Sequence, residues 1–199
     1  MTSNPSFEMP EIVKISKSSP NLYIASLIDL AAQNFSWIYP DQYSPQKHSI
    51  QTAQDIISNR KHGTLCFGIK RDVHNVIKPE TFEPFGYAVY RLNTVPGSNQ
   101  TPKIDACIEQ CFAGGRFPNV INALLIRNFV YTLQAFCDQV GILPYPDVFM
   151  ELPLQLESEV SRYQLLGFNP VGRQKDLILM RGDFQALSLG YDGDPGKLH

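Results

Sequence analysis

The sequence has no excess of positive charge. It contains 17 Lys and Arg residues against 19 Asp and Glu residues, so its net charge at pH 7 is -2. Proteins that bind nucleic acid without sequence preference need a basic surface, because they must neutralise phosphates. The charge balance therefore argues against a nucleic-acid partner.

Long apolar runs are also missing. No stretch reaches the roughly 18 uninterrupted apolar residues of a membrane-spanning helix, and the nearest approach, 120–136, contains Arg127. The first residues, MTSNPSFEMPE, have neither the basic nor the apolar region of a signal peptide. We therefore expect a cytoplasmic protein with no membrane partner. Residues 1–10 are expected to form a flexible arm and residues 185–199 a flexible tail.

Cysteine is scarce and is not arranged for metal binding. Cys66, Cys107, Cys111 and Cys137 form no C-x-x-C pair, and no His lies at the spacing of a metal ligand. Buried free thiols in a reducing compartment are the simplest interpretation. The sequence therefore predicts no metal site.

The chain does contain enough apolar material for one folded domain. Apolar residues make up 43% of the 199 residues and charged residues 18%, which is typical of a chain that buries a sizeable core. Apolar spacing and turn residues predict the order β-α-α-β-β-β-α-β-α-β. The predicted strands are 11–17, 64–71, 85–92, 104–111, 144–152 and 176–181, and the later helices are 49–61, 120–140 and 156–166. The three central strands should form an antiparallel meander, and the strands on either side of the long helix should be parallel, giving a mixed α+β domain.

The stretch 104–141 combines a strand, a glycine-marked loop and the longest predicted helix. Asn119 is predicted as the N-cap of that helix, and Gly141 as its C-terminal stop. The first amides of a helix lack intrahelical acceptors and the helix dipole favours negative charge, while Arg116 in the loop adds a fixed positive group. The sequence therefore predicts an anion-binding site at the start of the helix.

Three motifs resemble those of the GNAT-type N-acetyltransferase superfamily, over residues 11–181. The segment YQLLGF at 163–168 resembles the Y-x-x-L-G-F signature near the end of the family's last helix, and LILMR at 177–181 resembles the strand that follows it. The segment 116–125 resembles the R-x-x-G-x-G/A-x-A-L-L loop that cradles the pyrophosphate of acetyl-CoA. The resemblance implies a single GNAT-like domain over 11–184, with a mixed sheet of six or seven strands and about four helices.

The resemblance also implies an activity, namely transfer of an acetyl group from acetyl-CoA to a primary amine of a small molecule, peptide or protein. The amine would attack directly in a ternary complex. The residues implied to contact acetyl-CoA lie at the end of the strand and in the loop and helix that follow: Cys111, Phe112, Ala113, Arg116, Phe117, Asn119, Val120 and Ile121. A backbone amide of Cys111 or Phe112 would bind the oxyanion.

Catalytic roles follow from the same comparison. Tyr163 would give a proton to the leaving thiolate. For the base that takes the amine proton, we expect Glu109, which alternation places on the same strand face as Cys111, with Glu151 as the second choice. A local ion pair is the alternative role for either carboxylate.

Other functions stay open at this point. Asn119 and Ile121 stand where the family has two glycines, so the donor could instead be a longer acyl-CoA or an acyl carrier protein. A GNAT-like module that binds without catalysis is a further alternative. The sequence leaves a homodimer open as well.

Overall fold

The computed structural model describes residues 10–40, 44–69, 82–97, 102–114 and 118–189. These ranges contain both strands and helices. In chain order they are β1 (Glu11–Ile15), α1 (Asn21–Ile38), α2 (Pro45–Ile57), β2 (His62–Ile69), β3 (Phe82–Val95), β4 (Lys103–Ala113), α3 (Pro118–Val140), β5 (Val148–Pro153), a 3-10 helix (Leu154–Glu159), α4 (Val160–Leu165), β6 (Phe168–Gln174), β7 (Leu177–Gly182) and α5 (Phe184–Leu189).

The strands form one seven-stranded sheet in the order β1-β2-β3-β4-β5-β7-β6. β4 and β5 are parallel, and all other neighbours are antiparallel. A parallel pair needs a long crossover, and α3 supplies it between β4 and β5. The predicted α+β class, the central meander and the parallel pair around the long helix are confirmed.

Apolar residues pack on both faces of the sheet. On one face, Phe129 and Leu133 of α3, with Phe184 and Leu187 of α5, join Tyr163 of α4 in one buried cluster. On the other face, residues of α1 and α2 pack on β1, β2 and β3 in a second cluster. α3 is long and apolar enough to span a membrane by length and composition, and its packing on the sheet accounts for its apolar residues.

Two elements were not predicted. β6 is the outer strand of the sheet, and six of its seven residues are exposed, so no alternation of buried and exposed residues marks it. α5 lies where the flexible tail was expected, because Phe184 and Leu187 are 6% and 3% exposed in the core. The predicted tail boundary therefore falls inside a helix, while residues 1–9 and 190–199 lie outside the described ranges.

Several boundaries differ from the predictions. α2 begins at Pro45 rather than at residue 49, β5 begins at Val148 rather than at 144, and the helix predicted over 156–166 is divided into a 3-10 helix and α4. α3 begins at Pro118, so Asn119 lies inside its first turn rather than at the N-cap. Gly141 has φ of +71° and follows the last residue of α3, which confirms the predicted stop.

Candidate active site

β4 contains a β-bulge at Glu109. Val89 of β3 pairs with Gln110 and Tyr90 pairs with Ile108, so Glu109 is the extra residue on β4. An extra residue shifts the alternation of side chains after it. The Cys111 Sγ therefore lies on the face covered by α3, where it donates to Asn122 Oδ1 at 3.5 Å.

Glu109 lies on the opposite face of the sheet. Its carboxylate pairs with Lys61, just after α2, and with Arg91. Arg91 is flanked by Tyr90 and Leu92, which pack under α3, so Arg91 points to the other face. The expectation that Glu109 and Cys111 share a face is therefore wrong, and the bulge is the reason.

β4 and β5 separate at this bulge. Their pairing consists of Cys107 with Phe149 and Ile108 with Met150. Beyond those pairs, both strands continue in the same direction, β4 through 109–113 and β5 through 151–153. We call these two unpaired ends the fork. Glu109 and Glu151 are the first residues of the fork on its two sides. The structure therefore brings both candidate general bases to the point where β4 and β5 separate.

Tyr163 of α4 lies against the β4 side of the fork. Its hydroxyl donates to the backbone carbonyl of Cys111 at 3.3 Å, and the residue is 4% exposed. Burial raises the pKa of Tyr163 above its ordinary value, and the nearby Cys111 thiol acts in the same direction. Tyr163 is therefore protonated at neutral pH and can donate a hydrogen bond inside the fork.

One arginine links Asp105 with the two acidic side chains at the start of the fork. Arg91 donates to Asp105 at 3.3 Å, to Glu151 Oε1 at 3.1 Å and to Glu109 Oε1. Burial alone would lower the pKa of Arg91, but the carboxylates, Glu109 foremost, outweigh burial and raise it. The Lys61 ammonium contacts Glu109 Oε2 at 2.6 Å. Both oxygens of Glu109 are thus in ion pairs, whereas the Glu151 ion pair involves Oε1.

A buried hydrogen-bond chain reaches the bulge from α1. The Asn34 side chain donates to the Tyr87 hydroxyl at 3.0 Å, and that hydroxyl donates to Gln110 Oε1 at 3.0 Å. Tyr87 is fully buried, and burial raises its pKa. Because Gln110 follows Glu109 directly, this chain holds the bulge in place. The sequence analysis did not identify four residues of this site, because their contacts depend on the register of β3 and β4. They are Arg91, Asn34, Tyr87 and Gln110.

The described residues among those predicted to bind the cofactor lie at the end of β4 and in the first turn of α3. Phe112 and Ala113 pair with Tyr87 and Gly86 of β3. Asn119 and Val120 lie in the first turn of α3, whose amides point out of the helix N-terminus. Arg116 and Phe117 lie outside the described residues.

Ile121 does not block this helix N-terminus. It is 6% exposed and packs against β3, where a Cβ built on Gly86 would lie 2.9 Å from Ile121 Cγ2 and 2.5 Å from the Phe112 carbonyl oxygen. The absence of a side chain at Gly86 therefore makes room for the branched side chain. Ile121 can contribute to an anion site through its backbone only.

The cysteines are free thiols, as predicted. Burial raises the pKa of Cys111 to about 12, although the positive charge of Arg162 partly opposes this. Burial likewise raises the pKa of Cys107 to about 12. Within the described ranges, no group of three or more His, Cys, Asp and Glu side chains could hold a metal ion.

Solved structures share this architecture. No protein-family model matches the chain, and no curated protein sequence matches it. The PaiA N-acetyltransferase from Thermoplasma acidophilum, solved in complex with coenzyme A, is 14% identical with a TM-score of 0.51, covering 88% of this chain and 99% of that one. A GNAT-family acetyltransferase from Staphylococcus aureus is 13% identical with a TM-score of 0.54, at 88% and 99% coverage.

A toxin has the same fold. A mutant of the toxin AtaT, bound to the C-terminus of the antitoxin AtaR and to acetyl-CoA, is 13% identical with a TM-score of 0.53, covering 90% of this chain and 96% of that one. At these identities the similarity concerns the fold. The chain therefore has the fold of the GNAT-type N-acetyltransferases, as the motifs implied.

Proposed function

We propose that this protein is an N-acetyltransferase that moves an acetyl group from acetyl-CoA to a primary amine in a ternary complex. The observation that carries the proposal is the position of Tyr163. Its protonated hydroxyl lies 3.3 Å from the Cys111 carbonyl, on the part of β4 that β5 leaves unpaired. A thioester placed in the fork would meet a hydrogen-bond donor on one side and strand backbone on the other.

The residues at the fork can supply each proton and charge that the reaction needs. The neutral amine attacks the thioester carbon, so a C–N bond forms and the C–S bond then breaks. Because the Cys111 carbonyl faces the fork, the amide of the same residue faces it too and donates to the oxyanion, whereas the Phe112 amide faces β3. The Tyr163 hydroxyl moves its hydrogen bond from the Cys111 carbonyl to the thioester sulfur, and it then gives its proton to the leaving thiolate. The proton lost by the amine passes to a carboxylate and from there to solvent, and the phenolate of Tyr163 takes up a proton from solvent.

Glu151 is the better placed of the two candidate bases. Its side chain is 27% exposed and Arg91 occupies Oε1 alone, whereas Glu109 is 10% exposed with both oxygens in ion pairs. A base needs an accessible oxygen within hydrogen-bond reach of the amine or of a bridging water. We therefore assign the base to Glu151 and a structural role to Glu109, although the sequence favoured the reverse order.

The start of α3 supports binding of the CoA phosphates. Val120 lies in the first turn of α3, where helix amides have no intrahelical acceptor and the helix dipole favours anions. Ile121, the departure from the family motif that favoured other functions, packs against Gly86 instead of facing this space. The described start of α3 therefore favours a conventional CoA donor.

The proposal is tested by incubating the protein with acetyl-CoA and a panel of amines. The panel contains polyamines, amino sugars, lysine peptides and peptides with free N-termini, and thiol release and product mass are both measured. We expect one acetyl group on at least one amine class, with one free thiol formed for each. Thiol release at the rate of the protein-free blank for every amine, and also for water, would contradict the proposal.

A further inference from the structure

Arg162 has two buried donors without acceptors. It precedes Tyr163 in α4, and its Nη1 donates to Glu159 Oε2 at 2.9 Å. Its Nε and Nη2 are shielded from solvent and have no hydrogen-bond partner among the described residues. Buried polar groups are normally hydrogen-bonded, and those of a guanidinium carry positive charge. We therefore expect these two N–H groups to bind an acceptor that a ligand supplies.

The positions of these two nitrogen atoms indicate which kind of ligand could bind them. Nε and Nη2 lie on one edge of the planar guanidinium, with parallel N–H bonds. That edge binds a carboxylate through two hydrogen bonds at once. One ligand with two coplanar oxygens would satisfy both atoms, whereas a methyl group would satisfy neither.

Arg162 immediately precedes Tyr163, the residue assigned to the leaving thiolate of the proposed donor. Tyr163 ties this turn of α4 to the Cys111 carbonyl inside the fork. Burial raises the pKa of Cys111, and the positive charge of Arg162 partly opposes that rise; the Cys111 Sγ lies on the face covered by α3. The CoA phosphates, by contrast, are assigned to the start of α3. The group that Arg162 meets is therefore expected at the acyl end of the donor.

We propose that Arg162 binds a carboxylate at the far end of the donor's acyl chain, so that the preferred donor is a dicarboxylic acyl-CoA. This inference rests on the proposed function, because it uses the same fork and the same Tyr163. Acetyl-CoA fits the fork but leaves Nε and Nη2 of Arg162 unpaired. A succinyl or malonyl thioester would pair them, and the amine would then attack the thioester carbon as before, releasing CoA and forming an acyl amide.

The test compares two donors that differ at one end. Succinyl-CoA and butyryl-CoA have acyl chains of equal length, ending in a carboxylate and a methyl group. By isothermal titration, we expect the wild type to bind succinyl-CoA about 10- to 100-fold more tightly, as for a charge-assisted hydrogen-bond pair. Arg162→Met should abolish this preference while changing the affinity for CoA by less than about twofold. Arg181→Met removes an exposed arginine paired with Asp147 and should keep the preference.

Equal affinity of the wild type for succinyl-CoA and butyryl-CoA would overturn the inference without any variant, so a poorly folded Arg162→Met cannot obscure the result. An equal loss of CoA and succinyl-CoA affinity in Arg162→Met would also overturn it, since the arginine would then bind a part common to both. Binding of CoA without a carboxylate preference would leave the proposed function intact. Failure to bind CoA or any thioester would contradict both proposals.

Discussion

Replacing Tyr163 with Phe should separate a catalytic hydroxyl from a packing ring. The substitution keeps the aromatic ring, which belongs to the buried cluster under α3, and removes one oxygen. That oxygen makes a single hydrogen bond in the described structure, 3.3 Å to the Cys111 carbonyl. Any effect on turnover beyond the effect on stability therefore belongs to the hydroxyl itself.

The expected loss of stability is small. One intramolecular hydrogen bond contributes about 0.5–1.5 kcal/mol net, and a 3.3 Å bond belongs at the lower end of that range. For a chain of this size, about 1 kcal/mol lowers the melting temperature by about 2–4 °C. The CoA affinity should change little, because the phosphates are assigned to α3.

The expected loss of turnover is much larger. A positioned general acid contributes about 10²- to 10⁴-fold. A thiolate is a good leaving group at neutral pH, so we expect about 10²-fold, near the lower limit. The assay is the initial rate of thiol release at saturating donor and amine. Pre-steady-state measurements should show no burst, which establishes that chemistry limits turnover.

Tyr145→Phe is the matched control. The Tyr145 hydroxyl donates to Asp138 at 2.9 Å, so this variant also loses one tyrosine hydroxyl, but away from the fork. The Tyr145 hydroxyl also accepts from Gln134 at 3.5 Å; its loss should change stability only slightly and leave turnover unchanged. Full activity of Tyr163→Phe, in the absence of a burst, would refute the assignment of Tyr163 as the acid.

Three further variants test other parts of the site. Gly86→Ala should destabilise the protein by about 1–3 kcal/mol in urea unfolding, because its Cβ would lie 2.5 Å from the Phe112 carbonyl oxygen; unchanged stability would contradict the close packing. Glu151→Gln should lower turnover about 10²-fold or more, whereas Glu109→Gln should mainly lower stability, and the opposite pattern would reverse the two roles. Burial lowers the pKa of His62, so the unfolded state takes up the proton first and stability falls as the pH drops below about 7. Urea unfolding at pH values of about 7.5 and 5.5 should show a smaller loss for His62→Gln than for the wild type, and equal losses would contradict this.

Strong local patterns account for what the sequence predicted correctly. The helical spacing of apolar residues in α3 and the glycine after it identify the longest helix, and turn residues separate the strands of the meander. The parallel arrangement of β4 and β5 follows because a long helix connects them. Tyr163 was identified by the motif around it, and the structure places its hydroxyl in the fork.

The details of the site depend on strand register, which the sequence does not show. The bulge at Glu109 is defined only by its partners, Val89 and Tyr90. A simple alternation of residues therefore placed Glu109 on the wrong face. Arg91 lies far along the chain from Glu151, and their ion pair becomes visible only when β3, β4 and β5 are side by side. The edge strand β6 was missed for a related reason, since a strand exposed on both faces has no alternation to detect.

Thermal unfolding with and without acetyl-CoA tests the central claim most directly. At a concentration about 100 times the dissociation constant, a ligand that binds only the folded state adds about 2.7 kcal/mol. For a chain of this size the melting temperature should rise by about 5–11 °C, whereas the same concentration of AMP should cause a much smaller shift. No shift with acetyl-CoA, CoA or succinyl-CoA would contradict the assignment of the fork and the start of α3 as a site for acyl-CoA.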